Sequence, residues 1–275
     1  MVALLLVLAL GGTAPASAQG IVPFASAESM ARLDRSKHKV DFFTLANHFE
    51  SEQNVAMCGP TTAVIILNAL RAGNDKVARP RDPSLFPAEF STNLPKGLDP
   101  VFARYTQGAF FDEKFTSVKP KAVFFGVPGK DGKRDPGIQL RQLHEVLLKH
   151  GLDSQIRVVN EEADDKKLKD EIVANLATAN DYVIVNYKRE TLGQKGSGHI
   201  SPVAAYDETS DSFLILDVNA NQGKIWVWVP AQALFSAMRT KDTVENRGFL
   251  LVREGAGSPL SRNPSTGRPS PDGHP

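Results

Sequence analysis

The chain holds a single cysteine, Cys58, followed at once by Gly59 and Pro60 and then by the apolar stretch Ala63-Val-Ile-Ile-Leu67. A thiol attacks or ligates only as its thiolate, and the unpaired N–H groups at a helix N-terminus favour that anion. Pro60 suits the first turn of a helix, where its missing N–H is not needed. The lone sulfur is therefore expected at a helix mouth, where a reactive cysteine is best placed. With no second cysteine the chain forms no internal disulfide, and its stability must come from its core.

Drawing the proton off that sulfur takes a base, and six histidines are available. His274 lies in a Gly, Ser and Pro tail, His144 and His150 fall on a helix at surface spacing, and His38 and His48 belong to a segment with little periodicity. His199 differs because it opens a strand after Gly196-Ser197-Gly198, an approach that leaves one side of the imidazole uncrowded. The next strand returns through a turn at 207–211. If 206 faces 210, then 199 faces 217, and residues directly opposite share a sheet face with Cβ atoms about 4.5 to 5.5 Å apart. Asp217 would then fix the imidazole tautomer and stabilise the imidazolium while His199 takes the Cys58 proton. A loop longer by two residues would instead pair 199 with 219 and offer Asn219 for that task. His199 follows Cys58 by 141 positions (58 to 199), within the roughly 130 to 150 that separate cysteine and histidine in papain-type enzymes.

Three side chains so far apart in sequence need elements to bring them together. Residues 59–71 form a helix apolar on nearly every side, hence one buried in the middle of the domain, with Gly73 to stop it. Residues 138–150 and 164–179 carry the amphipathic period of two further helices, and the charge run 161–171 is the wet face of the second. A short strand is expected at 122–125. Strands follow at 155–159, 182–187, 200–206, 212–218, 224–229 and 248–253, joined by short turns and so antiparallel. Helices gathered in the first part and strands in the second define an α+β fold.

Composition sets the wider bounds. With 41% hydrophobic and 23% charged residues the chain can bury a sizeable core, and 32 basic against 31 acidic residues leave a formal charge of +1. No global field exists to gather nucleic acid or an anionic membrane surface. Residues 2–11 are apolar but too short to span a bilayer, and Ala16-Ser17-Ala18 has the small-x-small form of a cleavage site. Residues 1–18 thus read as a signal peptide lacking a basic n-region, residues 19–254 as one catalytic domain, and 255–275 as a disordered tail. That organisation implies an exported, periplasmic protein with no membrane attachment after leader removal.

Two blocks then resemble a known family. Phe49-Glu-Ser-Glu-Gln-Asn-Val-Ala-Met-Cys58-Gly-Pro with Val64-Ile-Ile-Leu-Asn-Ala-Leu70 is similar to the nucleophile segment of phytochelatin synthases. Tyr182-Val-Ile-Val-Asn-Tyr187, Gly198-His199-Ile-Ser-Pro-Val-Ala-Ala-Tyr-Asp207 and Phe213-Leu-Ile-Leu-Asp217-Val resemble that family's histidine and aspartate segment, with weaker matches at Thr106-Gln107, Phe110-Phe111 and Arg247-Gly248-Phe249. The resemblance covers about residues 42–253.

It implies a papain-like cysteine peptidase fold and attack of Cys58 on the Cys–Gly bond of glutathione or a related γ-glutamyl thiol peptide. Glycine leaves and a γ-Glu-Cys acyl-enzyme remains, which water or a second glutathione resolves. No cofactor is required by this chemistry, and a heavy-metal ion, cadmium or zinc, would enter as the glutathione thiolate. The family's oxyanion donor is a Gln six positions before the Cys, where this chain has Glu52; a one-residue shift would assign the donor role to Gln53. Arg189, Arg247 and Gly198 are the expected substrate-binding residues, the two guanidiniums matching the two carboxylates of glutathione. Nothing after Cys58 is a cysteine, which resembles the short bacterial forms that mainly hydrolyse, and homodimerisation is compatible with the pattern. Two other readings stay open: a papain-like hydrolase of another peptide or a peptidoglycan stem, and a non-catalytic zinc or thiol binder using Cys58, His199 and Asp217.

Overall fold

In the computed structural model, residues 20–73, 76–220 and 226–256 are described. The leader expected at 1–18 lies outside them, as does the expected tail apart from residues 255 and 256. The helices are α1 (Ala27–Arg35), α2 (Phe42–Asn47), α3 (Cys58–Arg71), α4 (Glu113–Thr116), α5 (Lys121–Phe124), α6 (Leu140–Lys149), α7 (Asp165–Leu176) and α8 (Ala231–Met238). The strands are β1 (Val22–Pro23), β2 (Leu152–Val158), β3 (Asp181–Lys188), β4 (Gly198–Asp207), β5 (Ser212–Leu216), β6 (Trp226–Pro230), β7 (Lys241–Asp242), β8 (Glu245–Asn246) and β9 (Gly248–Glu254). β7 and β8 make a small hairpin, and the others form one seven-stranded antiparallel sheet in the order β1-β6-β5-β4-β3-β9-β2. The α+β class and the order of helices before sheet are those expected.

Alternation along the strands builds two cores, one on each face. Ile184, Ala204, Leu214, Trp228 and Leu250 point to the face covered by α3 and α6, while Val183, Val203, Phe213, Val229 and Phe249 point to the face covered by α7 and α8. Helix α3 is buried along most of its length, as its all-round apolar sequence requires. Its first turn packs beside β4, and Gly59 makes room there for Ile138, whose Cγ2 a Cβ at position 59 would overlap. Thr62 Oγ1 donates to the Ile200 carbonyl at 3.1 Å and ties helix to strand beside His199.

Several elements depart from expectation. Residues 122–125 are helical, not extended: Pro120 presets the turn before α5, and Phe124 is drawn inward against Phe111 and Phe115. Phe125 also joins this cluster, against Phe111 and Phe124. α1, capped by the Ser26 hydroxyl, and α2 occupy the segment that showed little periodicity, and α8 stands among the expected strands. His150 is not a surface residue; it is buried and stacked on Phe110. Among the described residues no helix is long and apolar enough to cross a membrane.

Candidate active site

Cys58 is the first residue of α3 and keeps part of its surface open to solvent. Its sulfur, one ring nitrogen of His199 and one carboxylate oxygen of Glu52 lie within 4.8 Å of one another. His199 is buried near the start of β4, and its Nε2 is 2.8 Å from Asp217 Oδ1. That contact leaves Nδ1 as the nitrogen for the sulfur side.

The predicted neighbourhood of His199 and Asp217 is present, but through a different register. Near the turn β4 and β5 pair Asp207 with Ser212 and Tyr206 with Phe213; beyond a bulge between Val203 and Ala205 the pairing is Val203 with Ile215. Continued toward the site, that register sets 199 opposite 219, as a longer loop would. Asn219 nevertheless does not take the imidazole. Asp217 reaches it diagonally, at the i, j−2 separation that a side chain can bridge, and the Asn219 N–H donates to Asp217 Oδ1 at 2.9 Å. The bulge is essential to this geometry because it leaves Ala204 out of the ladder: were Ala204 paired in its turn, the register near the turn would set 199 opposite 220 and send Asp217 to the other face.

Asp217 is fully buried and held from three further directions. Arg189 Nη2 donates to Oδ1 at 2.6 Å, the Tyr187 hydroxyl donates to Oδ2 at 3.2 Å, and the Asn219 N–H completes the set. Burial alone would raise its pKa, but His199, Arg189 and the Asn219 N–H outweigh it and hold the carboxyl below its ordinary value. His199 moves downward as well, because burial outweighs the pull of Asp217. The imidazole is thus neutral at physiological pH and can accept a proton.

The thiol does not behave as the helix terminus alone predicts. It is pushed up to about 12, first by burial and then by the Glu52 carboxylate, against hydrogen bonds from the backbone at Ile200 and Gly59 and the charge of Arg189. The resting form is therefore S–H, and the sulfur becomes nucleophilic only when that proton is drawn off.

Glu52, not Gln53, stands beside the sulfur, so the one-residue shift does not occur. The reason is backbone pairing: the Glu52 N–H donates to the Val218 carbonyl at 2.8 Å, pinning residue 52 to the strand end that carries Asp217. The Gln53 N–H goes to Gln107 Oε1 at 3.0 Å, and its side chain is exposed. Glu52 Oε2 is sealed from solvent and has no hydrogen-bond partner among the described residues. Burial raises this carboxyl to about 7, Arg189 opposing and Asp217 adding to the shift.

The arginines expected to grip substrate are committed elsewhere. Arg189 is buried on Asp217. Arg247 donates to the Thr240 and Lys241 carbonyls and the Thr240 hydroxyl through Nη1, and to Asp242 through Nη2. A buried guanidinium needs acceptors close by, and each finds them internally, with only Arg189 Nη1 and Arg247 Nε of their nitrogens buried without a partner among the described residues. Gly198 is exposed beside His199, and the Arg247 guanidinium lies so close that a Cβ would meet Nη2 at 2.7 Å. A further positioning residue was visible in sequence only as a weak match: buried Gln107 donates to the Ser51 carbonyl and Glu50 and accepts from the Gln53 N–H, fixing the loop before Cys58.

A thiol, a neutral imidazole and a buried carboxylate that orients it are the working parts of cysteine-dependent acyl transfer. The chain belongs to the phytochelatin synthase family: the family model described as phytochelatin synthase matches residues 15–83 and 97–249. Similar curated proteins include glutathione gamma-glutamylcysteinyltransferase 3 of Lotus japonicus, 26% identical over 82% of this chain and 39% of that protein. Another is glutathione gamma-glutamylcysteinyltransferase 1 of Triticum aestivum, 27% identical over 86% of this chain and 41% of that one. This chain thus spans about two fifths of the length of the curated relatives it matches. Among solved structures it is similar to xylellain, a cysteine protease from Xylella fastidiosa, at 12% identity and a TM-score of 0.41, over 86% of this chain and 96% of that one.

Proposed function

We propose that the protein is a γ-glutamylcysteine transferase acting on glutathione through a γ-Glu-Cys thioester on Cys58. The observation that carries this reading is the Cys58, His199 and Asp217 cluster within a chain of this family. Cys58 sulfur bonds to the carbonyl carbon of the Cys–Gly bond as its proton passes to His199. The developing oxyanion is met by N–H groups at the start of α3 and by Glu52 while its carboxyl is protonated, since a neutral acid donates where a carboxylate repels. The tetrahedral intermediate breaks its C–N bond, His199 returns the proton to the leaving amine, and glycine departs. Water, or the amine of a second glutathione, then attacks the thioester with His199 again as base.

Water is the favoured acceptor in this reading. It is supported by the anchoring of Arg189 on Asp217 and of Arg247 on the Thr240 and Lys241 carbonyls, which leaves few guanidinium N–H groups for the carboxylates of a second glutathione. Glutathione thiolates of cadmium or zinc fall within the same substrate class. Export through the leader at residues 1–18 belongs to the proposal too, with Gln19 expected as the first residue of the mature protein. The deciding experiment is incubation with glutathione followed by product analysis. Free glycine and γ-Glu-Cys should accumulate, and intact-mass measurement should find one γ-Glu-Cys on Cys58. Glycine release that survives Cys58→Ser would overturn the assignment.

A further inference from the structure

The Glu52 carboxylate has a second consequence, independent of whether glutathione is the substrate. We propose that Glu52, Cys58 and His199 form a site for a zinc-class divalent cation, and that an ion bound there locks the nucleophile. One oxygen, one sulfur and one nitrogen lie within 4.8 Å of one another. Tetrahedral zinc with bonds of about 2.0 to 2.3 Å needs its ligands roughly 3.3 to 3.8 Å apart, so side-chain rotations of about 1 Å would close the set. Imidazole, thiolate and carboxylate together suit this class of cation, and three protein ligands leave a fourth position for water or an incoming thiol.

The surroundings favour the same ion. His199 is held at Nε2 by Asp217, the carboxylate–histidine support that orients metal-binding imidazoles, and this leaves Nδ1 for the cation. Glu52 Oε2 is buried without a hydrogen-bond partner among the described residues, a deficit that a cation would fill. One carboxylate, one thiolate and a neutral imidazole around a doubly charged ion sum to zero, so burial of the complex carries no net charge. Coordination expels the thiol proton to solvent. Asp217 is not a ligand, contrary to the zinc reading of the sequence: Oδ1 is taken by His199, Arg189 and the Asn219 N–H, and Oδ2 by Tyr187. An ion on sulfur and imidazole removes nucleophile and base together.

The test is a titration of the full chain with Zn2+ alone, in competition with a chromophoric chelator, and with Cd2+ alone, followed by the ultraviolet thiolate-to-cadmium charge-transfer band, both without glutathione. One ion per chain with a charge-transfer band is expected. The band should vanish in Cys58→Ser, and Glu52→Gln should weaken Zn2+ binding by at least about tenfold. Both replacements are nearly isosteric, and unchanged circular dichroism would verify that they fold. Binding without the band, equal affinity in Cys58→Ser, or Glu52→Gln as tight as the parent would each overturn the site. The readout needs no turnover, so a chain that binds one ion but, once stripped of metal by chelator, releases no glycine from glutathione would refute the acyl-transfer reading and leave this one standing.

Discussion

Replacing Glu52 by Gln tests the site most sharply, because a change of one atom removes a charge beside the sulfur. The Glu52 carboxyl titrates at about 7. Roughly a tenth of it is then ionised near pH 6 and roughly nine tenths near pH 8. If only the protonated acid donates to the oxyanion, kcat/KM for glycine release should fall about tenfold from its plateau by about pH 8 and continue down above it. A Gln side chain is neutral throughout and donates through its amide, so Glu52→Gln should match the parent near pH 6 and exceed it about tenfold near pH 8. Losing a donor outright costs about 3 to 4 kcal/mol of barrier, which sets the ceiling on the parent's loss at high pH. The assay is glycine release from glutathione at saturating and limiting concentrations across this range. A variant with the parental pH profile, or one slower than the parent near pH 8, refutes the assignment. Stability supplies a check free of substrate. An acid whose folded pKa is raised favours folding below its ordinary value and loses that advantage as pH rises through the folded one. The variant's gain in Tm should therefore be absent below about pH 4.5 and complete above about pH 7.

Other perturbations address the support of the site. Arg189→Met leaves Asp217 buried without its guanidinium, and urea unfolding should show a loss of about 3 to 5 kcal/mol together with a fall in glycine release. Gly59→Ala places a Cβ against Ile138 Cγ2, so it should cost about 1 to 3 kcal/mol; Ile138→Ala in the same chain should recover part of that, and strictly additive losses would contradict the packing. Gln107→Leu removes the three hydrogen bonds that hold the loop before Cys58, and kcat should fall more than Tm suggests if that loop positions Glu52.

Much of this site could be read from residue types. The buried helix behind Cys58 announced itself because an all-round apolar run followed by glycine has few alternatives, and six of the seven strands of the main sheet, all but the two-residue β1, were visible by composition. What could not be read is how side chains far apart in sequence satisfy one another. Arg189 and Arg247 carry the charge of substrate-binding residues, and nothing in their type shows that they are anchored on Asp217 and on the Thr240 carbonyl. Glu52 was read as a departure from a pattern. Only the hydrogen bond to Val218 shows that it cannot slip aside for Gln53. The strand expected at 122–125 failed for a related reason: a local propensity for extended structure yields when Phe124 has an aromatic cluster to join.

The hairpin of β4 and β5 has, in effect, a reading frame. One unpaired residue near Ala204 sets whether the acid and the imidazole meet or look away from each other, so length changes on the site side of the bulge are tolerated only in even steps. Inserting one residue between Ile200 and Val203 should turn the imidazole away and silence the protein even if the sheet still forms, whereas adding two residues at the exposed Glu208–Asp211 connection should not. In this chain, the spacing between the histidine and the aspartate is constrained by arithmetic as firmly as their identities are by chemistry.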